Sequence, residues 1–190
     1  MRETRQGRRD PRKLRQGQLI LVIGGASSGK SAVALELAVK GVTRGMARAF
    51  VATGQALDDE MAQKIQRHRV SRGAGWDTEE IPVDLVAWFQ KNGPAYRTIV
   101  LDCLTLWLSN LRERGVPDDR VPELVSALVQ AIRATATRVV VITNELGLGL
   151  VPMEASDRRF RDLAGQVNQQ VAAEADAVYF VMGGLPARIK

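Results

Sequence analysis

The residues with the clearest chemical pattern lie in one short segment near the start of the chain. They are Gly24, Gly25, Ala26, Ser27, Ser28, Gly29, Lys30 and Ser31, and they fit the phosphate-loop pattern G-x-x-x-x-G-K-[ST]. In that pattern, glycines let backbone N–H groups and a helix N-terminus face phosphate oxygens. Lys30 then reaches the β and γ phosphates, and the Ser31 hydroxyl ligates Mg²⁺. The segment lies between the apolar run LILVI and the helical stretch SAVALELAV, which is the context that such a loop requires.

A carboxylate on a neighbouring strand is the second part of a phosphate-loop site, because the charge on the transferring phosphate must be met by a fixed metal ion. Asp102 closes the apolar run TIVLD and fits that role. The alternative is that Asp102 caps the helix that follows at Thr105. Together the two motifs predict a site for a nucleoside triphosphate and Mg²⁺, without saying which reaction occurs there.

The single histidine, His68, lies in LDDEMAQKIQRHRVSR, which reads as a helix. Lys64, His68 and Arg72 fall four residues apart on one face, with Arg69 adjacent. Clustered cations attract phosphate and favour a neutral, nucleophilic imidazole, which can attack phosphorus. A surface histidine in a basic helix is the alternative, and composition alone favours it.

The rest of the chain alternates short apolar runs with longer helical stretches. The predicted strands cover residues 18–24, 47–53, 98–103, 138–143 and 177–182. Apolar residues recur with helical spacing from Val121 to Ile132 and from Phe160 to Val171. Because the strands are continuously apolar, both faces of the sheet are expected to be covered by helices, in an α/β fold with a mostly parallel sheet. Ligands of such folds bind beyond the carboxyl ends of the strands.

Composition fits one globular domain in a reducing compartment. The chain has 190 residues, a net charge of +6 and one cysteine. Seven basic and two acidic side chains lie in residues 1–18, so the remainder is nearly neutral. We therefore expect a basic, disordered tail over residues 1–17 and a single nucleotide-binding domain over 18–190, with no function assigned to the tail. No apolar stretch approaches the roughly 20 residues of a membrane helix, so a cytoplasmic protein without membrane insertion is predicted.

Three other features are weaker. Glu145 follows the run RVVVIT, and either holds a base edge, a water or the metal, or caps a turn. Arg158 and Arg161 lie on an amphipathic helix whose polar face either meets phosphate or is solvated. Trp76 and Glu80 lie in GWDTEEIP, which reads as an exposed loop.

Taken together, the motifs resemble those of the bifunctional adenosylcobinamide kinase / adenosylcobinamide-phosphate guanylyltransferase family of coenzyme B12 synthesis. The likeness runs from about residue 19 to residue 190. It is carried, in the family's order, by LVIGGASSGKS, VATGQALDDEMAQKIQRHR, GWDTEEIP, IVLDCLTLWLSNL, ITNELGLGLVP and RRFRDLAGQVNQQVAAEAD. The resemblance implies a three-layer, RecA-like P-loop NTPase fold and a homotrimer.

The same resemblance implies two successive reactions. The hydroxyl of the aminopropanol arm of adenosylcobinamide is phosphorylated by GTP or ATP, and GMP is then transferred from GTP to that phosphate through a guanylylated histidine. This histidine corresponds to His68, which shifts the balance toward catalysis. By the same correspondence the nucleotide-binding positions are residues 24–31, Thr53, Arg69, Arg72, Glu80 and Asp102, with Lys30 also catalytic and Ser31 and Asp102 as Mg²⁺ ligands.

One position departs from the family's pattern. The family usually has arginine where this chain has Ser27, which bears on the kinase reaction more than on guanylyl transfer. Two alternative functions remain at this point: a guanylyltransferase without kinase activity, and a nucleotide-dependent switch or ATPase with the tail bound to nucleic acid. The leading interpretation has neither a nucleic-acid partner nor a membrane.

Overall fold

The computed structural model describes residues 17–42, 45–55 and 75–190, and the features below refer to those residues. Seven strands are present: β1 (Gln18–Gly24), β2 (Arg48–Ala52), β3 (Asp77–Glu80), β4 (Thr98–Asp102), β5 (Arg138–Asn144), β6 (Ala177–Met182) and β7 (Leu185–Arg188). Five α-helices accompany them: α1 (Lys30–Val39), α2 (Leu85–Asn92), α3 (Leu104–Glu113), α4 (Val121–Ala134) and α5 (Ala155–Glu174). Short 3₁₀ turns at Gly93–Ala95 and Asp118–Arg120 precede β4 and α4. No described helix is long and apolar enough to cross a bilayer.

The strands form one sheet in the order β3-β2-β4-β5-β1-β6-β7. All neighbours are parallel except β7, which pairs antiparallel with β6. The five predicted strands are therefore all confirmed, within one residue at each end. The register places the last residues of β3, β2 and β4 side by side, since Ala52 pairs with both Glu80 and Asp102.

Each face of the sheet has its own core, because successive side chains of a strand point to opposite sides. On one face, Ile20 and Val22 of β1 pack with Val33 of α1. On the other, Leu19 and Leu21 pack with the buried sides of α2, α3, α4 and α5. The continuous apolar strands thus reflect burial on both faces, as the sequence predicts.

Both strands that the sequence analysis missed lie at the edges of the sheet. The segment GWDTEEIP is not an exposed loop, because Asp77–Glu80 pairs with β2. Its residues are all polar, and Asp77, Glu79 and Glu80 have low strand propensity, but an edge strand need not be apolar. The other missed strand, β7, contains Pro186, which an edge position tolerates because no sheet hydrogen bond is required there.

Candidate functional site

The phosphate loop closes tightly between β1 and α1 because its glycines admit close backbone contacts. Gly29 has a φ of 90°, and a Cβ at this position would lie 2.9 Å from Cα of Gly184. At Gly24, a Cβ would lie 2.7 Å from the carbonyl oxygen of Val181. Side chains at these two positions would therefore push the loop away from the β6–β7 turn.

The start of α1 supplies positive charge to the same loop. Lys30 is the first residue of the helix, and its Nζ donates to the Gly25 carbonyl at 3.0 Å, so the ammonium lies over the loop. The first turn of α1 contains no acidic side chain. The helix dipole and the lysine thus act together on any anion held in the loop. Within the loop, the Ser28 hydroxyl is buried without a hydrogen-bond partner.

Asp102 lies beside the loop, at the carboxyl end of β4. The Ser31 hydroxyl donates to its Oδ2 at 3.2 Å. Asp102 does not cap α3, since the residue at the cap position is Cys103 and no side chain makes a capping hydrogen bond there. The contact brings together two oxygen atoms that can both ligate a metal ion. The residues that carry them, on β4 and α1, are separated by 71 positions in the chain.

The Ser31 hydroxyl and the Asp102 carboxylate are suitable ligands for Mg²⁺. Mg²⁺ prefers oxygen ligands and is commonly held by one or two protein groups, with phosphates and waters completing the octahedron. Elsewhere in the described residues, no three His, Cys, Asp or Glu side chains converge to form an alternative metal site.

Thr53 lies directly after β2 and is fully buried. Its hydroxyl donates to the carbonyl of Cys103 and accepts from the N–H of Cys103, both at 2.8 Å. Its own N–H donates to the Asp102 carbonyl at 3.0 Å. The structure therefore places Thr53 in contact with the backbone that carries Asp102. The neighbouring Cys103 is a buried thiol, and burial, followed by the charge of Asp102, raises its pKa to about 11.

Glu80 reaches the same edge of the sheet at the end of β3. Two strand spacings separate it from Asp102, which corresponds to about 10 Å. Glu80 lines a cavity of about 370 Å³, together with residues that include Trp88, Lys91 and Arg114. The structure thus brings Glu80 to the edge that carries the loop but not into the Ser31–Asp102 contact.

Polar residues that sequence reasoning missed connect the elements around the site. Asn168 on α5 accepts from the Thr143 hydroxyl at 2.8 Å and donates to the Asn144 carbonyl at 3.0 Å. Thr105 on α3 accepts from the Asn144 N–H at 2.9 Å. Together these contacts fix the end of β5 against two helices. The available clue was a polar residue, Asn168, directly after Val167 in the buried stripe of α5.

A second amide has a similar role on α3. The Asn110 side chain donates to the carbonyls of Thr53 and Pro82, at 2.8 and 2.9 Å. It therefore ties the segment after β2 to the segment after β3. The indole of Trp107 adds a hydrogen bond to the Val83 carbonyl at 2.8 Å.

Two of the three weaker features, Glu145 and the pair Arg158 and Arg161, have defined contacts. The N–H of Glu145 donates to the Gly24 carbonyl at 3.1 Å, and its carboxylate accepts from the Gly147 N–H at 2.6 Å, as a turn cap does. Arg158 donates to the backbone carbonyls of residues 152 and 153. Arg161 pairs with Asp162 at 3.2 Å.

His68, Arg69 and Arg72 lie outside the described residues. Along the chain they fall between β2 and β3, which are neighbouring strands whose carboxyl ends lie beside Asp102.

Comparison of the fold with solved structures finds the flagellar accessory protein FlaH from Methanocaldococcus jannaschii. It is 15% identical, with a TM-score of 0.55, and the likeness covers 92% of this chain and 79% of that protein. At this identity the likeness concerns the fold, which is a three-layer, RecA-like P-loop NTPase fold.

Sequence comparisons are more specific. The chain is 39% identical to the bifunctional adenosylcobalamin biosynthesis protein CobP of Pseudomonas aeruginosa, over 90% of this chain and 96% of that protein. It is 36% identical to the bifunctional adenosylcobalamin biosynthesis protein CobU of Salmonella typhimurium, over 90% and 99%. Residues 20–189 match the family described as cobinamide kinase / cobinamide phosphate guanyltransferase. The phosphate loop and the carboxylate beside it are thus those of a chain that belongs to the cobinamide kinase / cobinamide phosphate guanyltransferase family.

Proposed function

We propose that this chain catalyses two successive transfers to one corrinoid. In the first, the hydroxyl of adenosylcobinamide attacks the γ phosphorus of GTP or ATP, and the nucleoside diphosphate leaves. In the second, GMP moves from GTP to the new phosphate and pyrophosphate leaves, which gives adenosylcobinamide-GDP. The observation that carries the proposal is the Ser31–Asp102 contact beside the phosphate loop, in a chain that matches the family over residues 20–189.

The described residues have distinct parts in both steps. Backbone N–H groups of the loop and the start of α1 bind the phosphates, and the Lys30 ammonium neutralises charge that develops on the leaving group. Ser31 and Asp102 would hold Mg²⁺, which would neutralise negative charge on the phosphates when bound. Thr53 keeps the backbone of Asp102 in place through its contacts with Cys103.

For the second transfer we propose a covalent route through His68. An imidazole nitrogen attacks the α phosphorus of GTP, an N–P bond forms and the bond to pyrophosphate breaks. A phosphate oxygen of adenosylcobinamide phosphate then attacks the same phosphorus, and the N–P bond breaks. This route divides one difficult displacement into two easier ones and stores GMP on the protein while the corrinoid binds. Arg69 and Arg72 lie close to His68 in sequence, and we propose that they neutralise pyrophosphate.

The remaining assignments extend the same proposal. We propose that residues 18–190 act as one domain and that residues 1–17 form a basic tail without a catalytic part. We also propose that the enzyme works in the cytoplasm as a homotrimer, with neither nucleic acid nor a membrane as partner. Glu80 completes the proposed nucleotide site at the carboxyl edge of the sheet, and Thr53 supports that site through the backbone that carries Asp102.

The test uses GTP labelled at either the α or the γ phosphate, with Mg²⁺. Protein-bound α label is measured without cobinamide, because the acceptor would remove it, and transfer of γ label is measured with cobinamide added. We expect acid-labile, alkali-stable α label on wild-type protein and on Lys64→Ala, the control that removes a nearby cation but keeps the imidazole. His68→Ala should retain no α label yet still transfer γ label to cobinamide. Bound α label on His68→Ala would place the nucleophile elsewhere. Hydrolysis of GTP without any transfer to cobinamide would contradict the proposal and favour a nucleotide-dependent switch.

A further inference from the structure

Large apolar side chains are concentrated on two segments that flank the phosphate loop. Eight such side chains are exposed in the described part of the chain, and six of them belong to these segments. We call these six the apolar rim: Leu148, Leu150, Val151, Met153, Met182 and Leu185. Their exposed fractions lie between 68% and 96%. Because they are grouped on two segments beside one site, these residues differ from the scattered single apolar residues that are normal on protein surfaces.

Both segments are joined to the phosphate loop by backbone hydrogen bonds. On one side, the N–H of Glu145 donates to the Gly24 carbonyl at 3.1 Å, where the segment after β5 begins. On the other side, the N–H of Gly184 in the β6–β7 turn donates to the Ser28 carbonyl at 2.8 Å. Gly24 pairs with Asn144 of β5 and Val181 of β6, so the two segments start about 10 Å apart at the usual strand spacing.

The segment after β5 is held in shape although four of its apolar side chains, Leu148, Leu150, Val151 and Met153, face solvent. The Glu145 carboxylate accepts from the Gly147 N–H, and the Arg158 guanidinium donates to the carbonyls of Pro152 and Met153. These contacts fix both ends of the segment and leave Leu148 and Leu150 exposed. The local hydrogen bonds therefore hold the segment in a conformation that leaves these two side chains exposed.

The rim is also electrically neutral. Residues 146–153 and 181–187 contain no Asp, Glu, Lys, Arg or His. A polyanion such as a nucleic acid finds no cationic partner on these two segments. A ligand that presents apolar faces and neutral amides matches them, because its binding removes apolar surface from water without burying an unpaired charge.

We propose that the apolar rim binds the corrin ring of cobinamide. The inference rests on the proposed function, because the transferred phosphate lies in the loop and the acceptor hydroxyl must reach it there. The corrin ring, a wide macrocycle with apolar faces and neutral amide side chains, must then lie next to the loop. The rim is the neutral, apolar surface that the structure places on both sides of that position. Met153 and Met182 suit a ring with an irregular outline, because their side chains are unbranched and adaptable.

The test measures binding without turnover, by equilibrium dialysis of cobinamide detected through its visible absorbance. Leu150→Ser combined with Met153→Ser should raise the Kd for cobinamide about tenfold or more, and Leu185→Ser should raise it about threefold to tenfold. Ile189→Ser is the matched control, because Ile189 is an exposed apolar residue of the same hairpin whose N–H bonds Val178, away from the loop. The control should keep the wild-type Kd, and every variant should bind GTP like wild type.

Three outcomes would overturn the inference, and they can be told apart. If wild type transfers phosphate to cobinamide and the rim variants bind cobinamide normally, the proposed function stands and the rim has another role. If the rim variants change the sedimentation of the protein at an unchanged Kd, a second copy of the chain covers the rim. If wild type neither binds nor modifies cobinamide, the proposed function fails and the rim assignment fails with it.

Discussion

The two ends of the parallel strands use polar groups in different ways. We call the side of the sheet where the strands begin the amino edge and the side where they end the carboxyl edge. At the amino edge, Arg133 donates to the carbonyl of Gly17 at 2.7 Å and pairs with Asp176 at 2.6 Å. Arg138 donates from Nε to Gln18 at 2.8 Å. These cations link chain segments that are far apart in sequence, and their hydrogen bonds are satisfied within the protein. The polar contacts at the amino edge therefore stabilise the fold.

At the carboxyl edge, buried hydroxyl and amide groups hold the backbone, and charged groups converge beside the loop. Thr53 bonds to both polar backbone groups of Cys103, whereas Lys30 and Asp102 lie over and beside the phosphate loop. Neutral hydrogen bonds thus fix the site's geometry, and the charged groups lie where an anionic ligand and its metal would bind. The difference predicts that substitutions at the two edges separate activity from stability.

The largest effect should come from Lys30→Met. Loss of the ammonium removes stabilisation of charge on the transferring phosphate, so kcat for both transfers should fall by about 10²–10³-fold. The free energy of unfolding should change by about 1 kcal/mol or less, since the hydrogen bond to the Gly25 carbonyl is lost but no core contact is removed. Steady-state kinetics and urea unfolding measure the two quantities. Lys40→Met at the other end of the first helix is the control, and equal losses of activity in both variants would contradict the assignment.

The opposite result is expected for Arg133→Met. This change removes hydrogen bonds to two backbone carbonyls and the ion pair with Asp176, so unfolding should become easier by about 2 kcal/mol at unchanged kcat. Arg120→Met, in an exposed pair with Glu123, should have little effect on stability. A fall in kcat for Arg133→Met without a change in stability would remove the distinction between the edges.

The ion pair between Arg133 and Asp176 also predicts that stability depends on pH. Burial alone would raise the pKa of Asp176, but hydrogen bonds from Arg133 and from the Leu19 N–H outweigh it, so the pKa is lowered. A lowered pKa in the folded state stabilises the protein above the usual pKa of aspartate, and this contribution is lost as the pH falls through the folded value. The stability difference between wild type and Arg133→Met should therefore shrink in acid, which urea unfolding at pH 7 and below pH 4 can measure.

The contrast between edges also explains what the sequence could predict. The central strands were predictable because burial on both faces makes them continuously apolar. The phosphate loop was predictable because its chemistry needs contiguous residues, and Asp102 because a lone carboxylate ended an apolar run. Edge strand β3 has neither property, since within the described part of the chain it pairs with a strand on one side only, and its residues are polar.

The hydrogen bonds of Asn110 and Asn168, which support the site, were harder to predict, because their partners meet only in the folded chain. Asn168 and Asn110 bond to residues that are 24 and 57 positions away. Nothing in the local sequence specifies those partners, although polar side chains in buried helical stripes indicate that partners exist. Thr53 was assigned to the nucleotide site only by family resemblance, and its contacts with Cys103 are what connect it physically to Asp102.

Thr53→Val gives the smallest predicted effect and the sharpest comparison, because Thr137 at the amino edge is a close match. Both residues are nearly fully buried, and the Thr137 hydroxyl donates to the Tyr96 carbonyl at 2.8 Å. Valine at either position leaves backbone groups without a partner, so each variant should lose about 1–2 kcal/mol of stability. Only Thr53→Val should also reduce kcat, by about tenfold, because only Thr53 holds the backbone next to Asp102.

Kinetics at a temperature where both variants remain folded separate the two effects. Thr53→Ser, which keeps the hydroxyl, should restore most of the kcat lost in Thr53→Val. If Thr137→Val lowers kcat as much as Thr53→Val does, the loss follows from general loosening of the sheet. The carboxyl edge would then owe its activity to its charged residues alone, and Thr53 would be a stability residue like its counterpart at the other edge.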